Sequence, residues 1–449
     1  MDRGMRLPNI ALGAFVVMAA AFANASHGAP LLNSSDRLPS EVAWGWFELL
    51  YDIVKAEQTP PPQASRIYGI ASVALYESAT PGSDKHRSLA GQLNGLTSLP
   101  RPERHRQLYW PAVANAAFAA TVRGLYVNLS SASLNATYEL EAQFTEKYRA
   151  RISGPVLERS TNFGRQLAAG ILAWAAGDLY SVHNNCPYVP ATEGPSAWKP
   201  TPPAFNPNPL QPCWGLIRPM VLNSSDECRV ERPPQYSVAE GSRFREAALE
   251  VYLSNLSLSP EQKTIADYWA DAAGATGTPP GHWIAIVSQI ARRDGLSLAD
   301  AAEAFARVGL AVHDAFIACW REKYESNLLR PVTYINDHID QVWRPYIVTP
   351  NFPSYTSGHS TQSAAAAHAL TAMFGVRRLR DTTHADHGLI PAQQPRTFAS
   401  FEAAAEEAAV SRLYGGIHYS FDNESGLVAG SCVGRALSER VRFRRERNH

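Results

Sequence analysis

Apolar residues recur at spacings of three and four along most of this 449-residue chain, a period that admits helices and little else. Ser40 stands where a helix cap belongs, ahead of Val42, Trp46, Leu49, Leu50 and Ile53. The same spacing predicts helices over 64–78, 106–126, 134–152, 156–180, 241–255, 259–272, 282–293, 297–329, 360–374, 401–417 and roughly 423–442. Alternating apolar runs are sparse, and there is no short repeat, heptad array or low-complexity tail. Helices are therefore expected to dominate the fold. Between residues 184 and 234 the pattern fails: the run Pro200-Thr-Pro-Pro-Ala-Phe-Asn-Pro-Asn-Pro209 removes donors and breaks helices. A Pro-rich irregular excursion of that length is expected to cover a site mouth or to form a contact between copies of the chain.

The N-terminus reads as an export signal. Arg3 and Arg6 precede an apolar stretch, Ile10 to Ala23, and Ala23-Asn24-Ala25 has the form of a cleavage site. Residues 1–25 are thus expected to be a signal peptide and 26–449 one mature, exported domain, periplasmic or secreted. No later run approaches the roughly 18 apolar residues of a membrane span, which argues against stable membrane insertion. The formal net charge is zero, so nucleic acid is not an expected partner, and any cluster of cations must answer to a local anion. Of five cysteines, three (Cys186, Cys213, Cys228) lie in the irregular segment. One pair among them is the expected disulfide in an oxidising compartment, and an odd total leaves at least one thiol without an intramolecular partner.

Three segments carry the chemistry. In the first, Lys323 and Arg330 are seven residues apart, nearly one azimuth on a helix, so both cations can reach one small object. Pro331 then places Arg330 at the helix end. Taken alone, the pair is a solvated basic face beside Glu322 and Glu325. In the second, Asn351-Phe-Pro-Ser-Tyr-Thr-Ser357-Gly358-His359-Ser360 is a polar turn running into an Ala-rich helix. Backbone N–H groups at a helix start point at whatever lies beyond it, Gly358 permits close approach, Ser357 adds a hydroxyl and His359 can move a proton. An ordinary helix cap accounts for the serines and leaves His359 unexplained. In the third, Ser411-Arg412 is followed by His418 and, four residues on, Asp422. A carboxylate on one imidazole nitrogen fixes the tautomer and makes the other nitrogen a better nucleophile or ligand, and Arg412 offers a planar fork of donors. Together the segments supply what a tetrahedral oxyanion needs: cations, amide and hydroxyl donors, a proton-transfer histidine and a carboxylate-backed histidine.

Lys323-x6-Arg330-Pro331, Pro353-Ser354-x-x-Ser357-Gly358-His359 and Ser411-Arg412-x5-His418-x3-Asp422 resemble the full signature shared by vanadium-dependent haloperoxidases and class A bacterial acid phosphatases. The likeness spans residues 320–422. It implies an all-α fold built on helical bundles, with the site between core helices. It also implies that His418 binds vanadium or becomes phosphorylated, and that Lys323, Arg330, Arg412, Ser357 and the Gly358 N–H hold the oxygens. His359 would be the acid/base, and Asp422 would support His418.

The anion cage is common to both branches. Trp320 and Phe352 resemble the halide-pocket aromatics of fungal-type chloroperoxidases, where algal bromoperoxidases typically have His in place of Phe352, and Phe421 beside Asp422 resembles the haloperoxidase version. Leu328-Leu329 departs from the aromatics often seen there, which puts halide choice in doubt; plain core packing is the alternative for Trp320 and Phe352. The resemblance thus implies a vanadate cofactor with hydrogen peroxide, halide and a small organic acceptor as partners, and Lys323 polarising bound peroxide. The second possibility is an exported phosphomonoesterase without vanadate. Asp314, beside His313, is a candidate support for one of the site's arginines.

Overall fold

The helical periodicity is realised almost element for element. In this computed structural model, which describes residues 34–103 and 105–446, the elements in chain order are α1 (Glu41–Ala56), α2 (Pro61–Ala79), α3 (Trp110–Leu125), α4 (Ser131–Arg149), α5 (Gly154–Ala176), α6 (Tyr180–His183), α7 (Arg243–Leu256), α8 (Pro260–Tyr268), α9 (Thr278–Arg293), α10 (Leu298–Ser326), α11 (Pro331–His338), α12 (Gly358–Phe374), β1 (Leu379–Asp381), α13 (Thr383–Asp386), β2 (Arg396–Phe398), α14 (Phe401–Tyr414) and α15 (Ser420–Arg440). β1 and β2 form an antiparallel ladder in which Asp381 opposes Arg396. The fold is all-α, with that small hairpin as its strand content among the described residues. The expected leader, 1–25, falls outside them. None of the described helices is long and apolar enough to cross a membrane.

The organising helix is α10. The Ser297 hydroxyl caps its start by accepting from Asp300 N, and Asn327 ends it in the left-handed region, φ 47°. Most of its residues from Leu298 to Trp320 are buried, which suits a helix covered on every side. α2, likewise buried over most of its length, and α12 pack against it.

A stripe of glycines brings α15 onto α12. A Cβ at Gly430 would fall 2.0 Å from the Thr361 carbonyl, one at Gly426 would fall 2.7 Å from Ser360 Cβ, and one at Gly434 would fall 2.5 Å from His368 Cβ. Spaced by four, these residues lie on one helix face and admit the neighbouring backbone where any side chain would hold it off. The approach carries the start of α12 to the start of α15, where Ser357 N donates to the Asp422 carbonyl at 3.0 Å.

One expectation needs correction. Lys323 and Arg330 do not share one helix: α10 stops at Ser326, and Arg330, with extended backbone (φ −78°, ψ 154°), is the cap residue of the separate helix α11. Asn327 in the left-handed region breaks the period, and Pro331 then starts a new helix. The pair expected within the irregular segment is Cys186–Cys213, and Cys319 is the leftover thiol, free and buried; a second bridge, Cys228–Cys432, joins residues 204 apart. Nothing local in the sequence brings residue 432 to the excursion.

The excursion itself is mostly irregular. Its Leu210 carbonyl accepts from Trp320 Nε1 at 3.2 Å and from the Tyr324 hydroxyl at 2.5 Å, and Asn208 and Leu210 bond to Asn351. It therefore lies against the side of α10 that bears Trp320.

Candidate active site

The cage is built from the ends of helices, where backbone donors and side chains meet without a partner turn. Lys323, in the last turn of α10, is fully buried and gives its ammonium to the carbonyls of Pro353 and Ser354 at 3.0 and 2.8 Å. Burial first, and then Arg330 beside it, push its pKa down to about 7. Arg330 donates from Nε to Phe352 O at 2.7 Å and from Nη1 to Ile417 O at 2.8 Å. Its Nη2 is buried with no hydrogen-bond partner among the described residues. Arg412 donates to the Ser411 hydroxyl and the Ala266 carbonyl. Burial brings both guanidinium groups down to about 10, still charged at neutral pH.

His418 lies two residues ahead of α15. Its Nδ1 is 2.8 Å from Asp422 Oδ2, and its Nε2 is 3.1 Å from Arg330 Nη1. Ser354 donates to the same Asp422 oxygen at 2.5 Å, and Tyr419 N does so at 3.2 Å. Burial raises the Asp422 carboxyl to about 6, with Ser354, Lys323 and Arg330 pulling the other way. Burial, followed by Arg330, Lys323, Arg412 and His359, holds His418 neutral, well below its ordinary value. With the Nδ1 proton aimed at Asp422, the Nε2 lone pair faces the cations.

His359 follows Gly358 on the first turn of α12. Its Nε2 is buried and has no partner among the described residues, while the Trp269 backbone carbonyl bears on the ring. Burial and then Arg412 keep it neutral. Ser357 caps α12, accepting from Ser360 N at 3.3 Å, and its own O–H remains to be given. A Cβ on Gly358 would make ordinary van der Waals contact with Trp320 Cζ3 at 3.6 Å, so the position tolerates it without a clash.

Trp320 and Phe352 stand 5.0 Å apart, with Lys323 Nζ 5.0 Å and the Arg330 guanidinium 4.8 Å from the Phe352 ring. Phe421 points elsewhere, into a small core with Phe244, Tyr334 and Tyr419 that also takes in Leu328 and Leu329. Asp314 supports neither Arg330 nor Arg412: it accepts from the backbone N–H groups of Met220, Val221 and Leu222 and from His313. Its position on α10 turns it away from Lys323 and toward the excursion. Ser354, whose hydroxyl joins Asp422 and His418, and the Trp269–Asp271 loop beside His359 and Arg412 have no assigned role in the sequence reading. Ser354 falls within the serine motif, but the loop carries no motif that could have pointed to it.

The structure thus brings Lys323, Arg330, Ser357, Gly358, His359, Arg412, His418 and Asp422 into one neighbourhood. The class it defines is an all-helical enzyme with a cationic oxyanion cage. The chain belongs to the vanadium haloperoxidase superfamily. Residues 303–446 match the family model described as the VCPO second helical-bundle domain. A crystal structure titled as the first bacterial vanadium-dependent iodoperoxidase superposes with a TM-score of 0.85 at 34% identity, covering 92% of this chain and 99% of that one. A bacterial vanadium-dependent chloroperoxidase structure matches in fold at 16% identity, with a TM-score of 0.64 over 85% of this chain and 92% of that one. The vanadium chloroperoxidase of Curvularia inaequalis is 25% identical over 458 residues, 81% of this chain and 75% of the relative.

The donor set fits a vanadate. Among the described residues Arg330 Nη2 is a buried donor and His359 Nε2 a buried ring nitrogen without a partner, and Lys323, Arg330 and Arg412 all bear on His418 while none of the three is in an ion pair with an acid. Such a group of like charges is favourable only around an anion.

Proposed function

We propose that the chain is a vanadate-dependent haloperoxidase that oxidises halide with hydrogen peroxide. The observation that carries this reading is His418, whose Nδ1 is fixed by Asp422 while its Nε2 faces Arg330, whose Nη2 is a buried donor with no partner among the described residues. His418 Nε2 would hold vanadium, and Lys323, Arg330, Arg412, the Ser357 hydroxyl and the Gly358 N–H would hold the oxygens. When bound, vanadate supplies a Lewis acid that activates peroxide without changing oxidation state. His359, kept neutral, takes the proton of arriving peroxide at Nε2. Lys323 and the two arginines stay in place to oppose developing negative charge, so no reorganisation is needed as the reaction proceeds. Trp320 and Phe352, under the cover of the Leu210 segment, keep water from the side on which halide approaches. The similarity to a protein titled an iodoperoxidase supports iodide as the first halide to assay.

We also place the protein outside the cytoplasm, since two disulfides among the described residues suit an oxidising compartment. The test is halogenation of a phenolic dye with peroxide and iodide, bromide or chloride, with and without vanadate. Turnover that requires vanadate and is lost in His418→Ala is expected. Hydrolysis of an aryl phosphate that vanadate inhibits, without halogenation at any pH, would instead assign the cage to phosphomonoester hydrolysis through a phosphorylated His418.

A further inference from the structure

Behind the cage lies a second charged group that the chemistry above does not use. His282, near the start of α9, is completely buried between two carboxylates: Nδ1 is 2.9 Å from Asp271 Oδ2 and Nε2 is 2.7 Å from Asp381 Oδ2. Asp381, at the end of β1, is itself fixed by the amide and hydroxyl of Thr383 at 2.9 and 2.6 Å and by Gln289 Nε2 at 3.3 Å. The imidazole stacks on Trp269, ring centroids 4.4 Å apart and planes 19° off parallel. Tyr268 lies beside it and stacks in turn on His384, whose Nε2 is 2.9 Å from the Tyr268 carbonyl.

What these contacts pin is the short loop after α8, and that loop faces the cage at two points. The Trp269 carbonyl bears on the His359 ring. The second oxygen of Asp271 is buried without a hydrogen-bond partner among the described residues, and the Asp271 charge acts on Arg412. A buried histidine with an acid on each nitrogen must carry both protons to satisfy them. Burial opposes that charge, yet the two aspartates outweigh it and lift His282 to about 10.

We propose that His282 is a positioning residue for the cage: clamped between Asp271 and Asp381 and stacked on Trp269, it fixes the carbonyl that orients His359 and the carboxylate whose charge acts on Arg412. The proposal rests on the haloperoxidase reading only for its kinetic consequence; the geometry it asserts concerns the protein with or without turnover. The group has a net charge of −1 from one imidazolium and two carboxylates. The group acts on His359 from one side, and Arg412 from α14, Lys323 from α10 and His418 ahead of α15 are the other titratable or charged groups that bear on His359. His282→Gln makes the group −2, and Asp381→Asn makes it neutral. The two substitutions therefore act on His359 with opposite sign, which simple loosening of a core would not do.

The measurement is the titration of the His359 imidazole by NMR in vanadate-free protein, its resonance identified by its loss in His359→Gln. Vanadate affinity is measured by calorimetry on the same samples. His282→Gln is expected to move the His359 titration to higher pH and to weaken vanadate by about 10- to 100-fold, the range for groups that orient ligand residues. Asp381→Asn is expected to move the titration to lower pH. In the halogenation assay the acid limb of the pH profile follows the same two directions. If both folded variants titrate as the wild type does, or both shift the same way, the proposal is overturned. Should His282→Gln not fold, Asp381→Asn alone decides, and a shift upward or none at all overturns it. Wild-type protein that never oxidises halide, yet shows the opposed shifts, would sink the haloperoxidase reading and leave the positioning role standing.

Discussion

The Nδ1 of His418 is held 2.8 Å from an Asp422 oxygen that also receives the Ser354 hydroxyl and the Tyr419 amide. That carboxylate sets which imidazole nitrogen keeps its proton. Asp422→Asn preserves the shape but can present an N–H to the ring, turning the lone pair away from Arg330. It is expected to weaken vanadate by about 10- to 100-fold with a smaller effect on thermal stability. Calorimetric titration of vanadate beside a melting curve checks this; unchanged affinity would remove Asp422 from the role.

Gly358 tests the cage from the opposite side. Its added Cβ meets nothing nearer than 3.6 Å, and the residue opens a helix, where Ala is favoured by up to ~1 kcal/mol. Gly358→Ala is therefore expected to melt no lower than wild type while binding vanadate at least about tenfold more weakly, the cost of ~1.4 kcal/mol of lost fit. A melt lowered by several degrees with affinity retained would contradict the placement.

His359 is held neutral by burial and by Arg412, so its folded pKa lies well below the ordinary value of about 6.5. Such a group contributes stability above the unfolded value that is lost as pH falls. Between the two values the slope is up to ~1.4 kcal/mol per pH unit. Glu77, lifted to about 7 by burial, acts in the other direction, so the total curve is not diagnostic. The difference between wild type and His359→Gln is. Urea unfolding of the vanadate-free protein from pH 7 to pH 5 should fall more steeply for wild type, and parallel curves would refute the assignment.

Cys228–Cys432 joins the irregular segment to α15 across 204 residues. Chain-entropy arguments give a bridge of that span about 5 kcal/mol at most. Replacing both cysteines by serine is expected to lower the melting temperature markedly while leaving vanadate affinity within about threefold, because the cage donors hang from other helix ends. Loss of affinity equal to the loss of stability would mean that the bridge also shapes the cage.

Much of this was legible in the residues. Helical spacing gave the core helices α1 to α5, and the Ser-Gly-His turn lies where a helix begins. The exceptions share one cause: period and motif speak of neighbours along the chain. Lys323 and Arg330 look like one face of one helix, and only Asn327 in the left-handed region separates them. His282, Asp271 and Asp381 are spread over 110 residues with no common motif, and the short ladder of β1 with β2 that carries Asp381 is too brief to show alternation. The glycines at 426, 430 and 434 are visible in sequence, but what they touch is not.

Lys323, Arg330 and Arg412 come from the end of α10, the start of α11 and the last turn of α14, and each anchors partly on backbone carbonyls. An oxyanion held by all three would cross-link those segments more tightly than any side chain in the cage. Occupancy then enters the folding equilibrium by mass action, adding RT ln(1 + [L]/Kd). On this footing the expected outcome is a melting temperature and protease resistance that rise with added vanadate, and with phosphate in proportion to its weaker affinity.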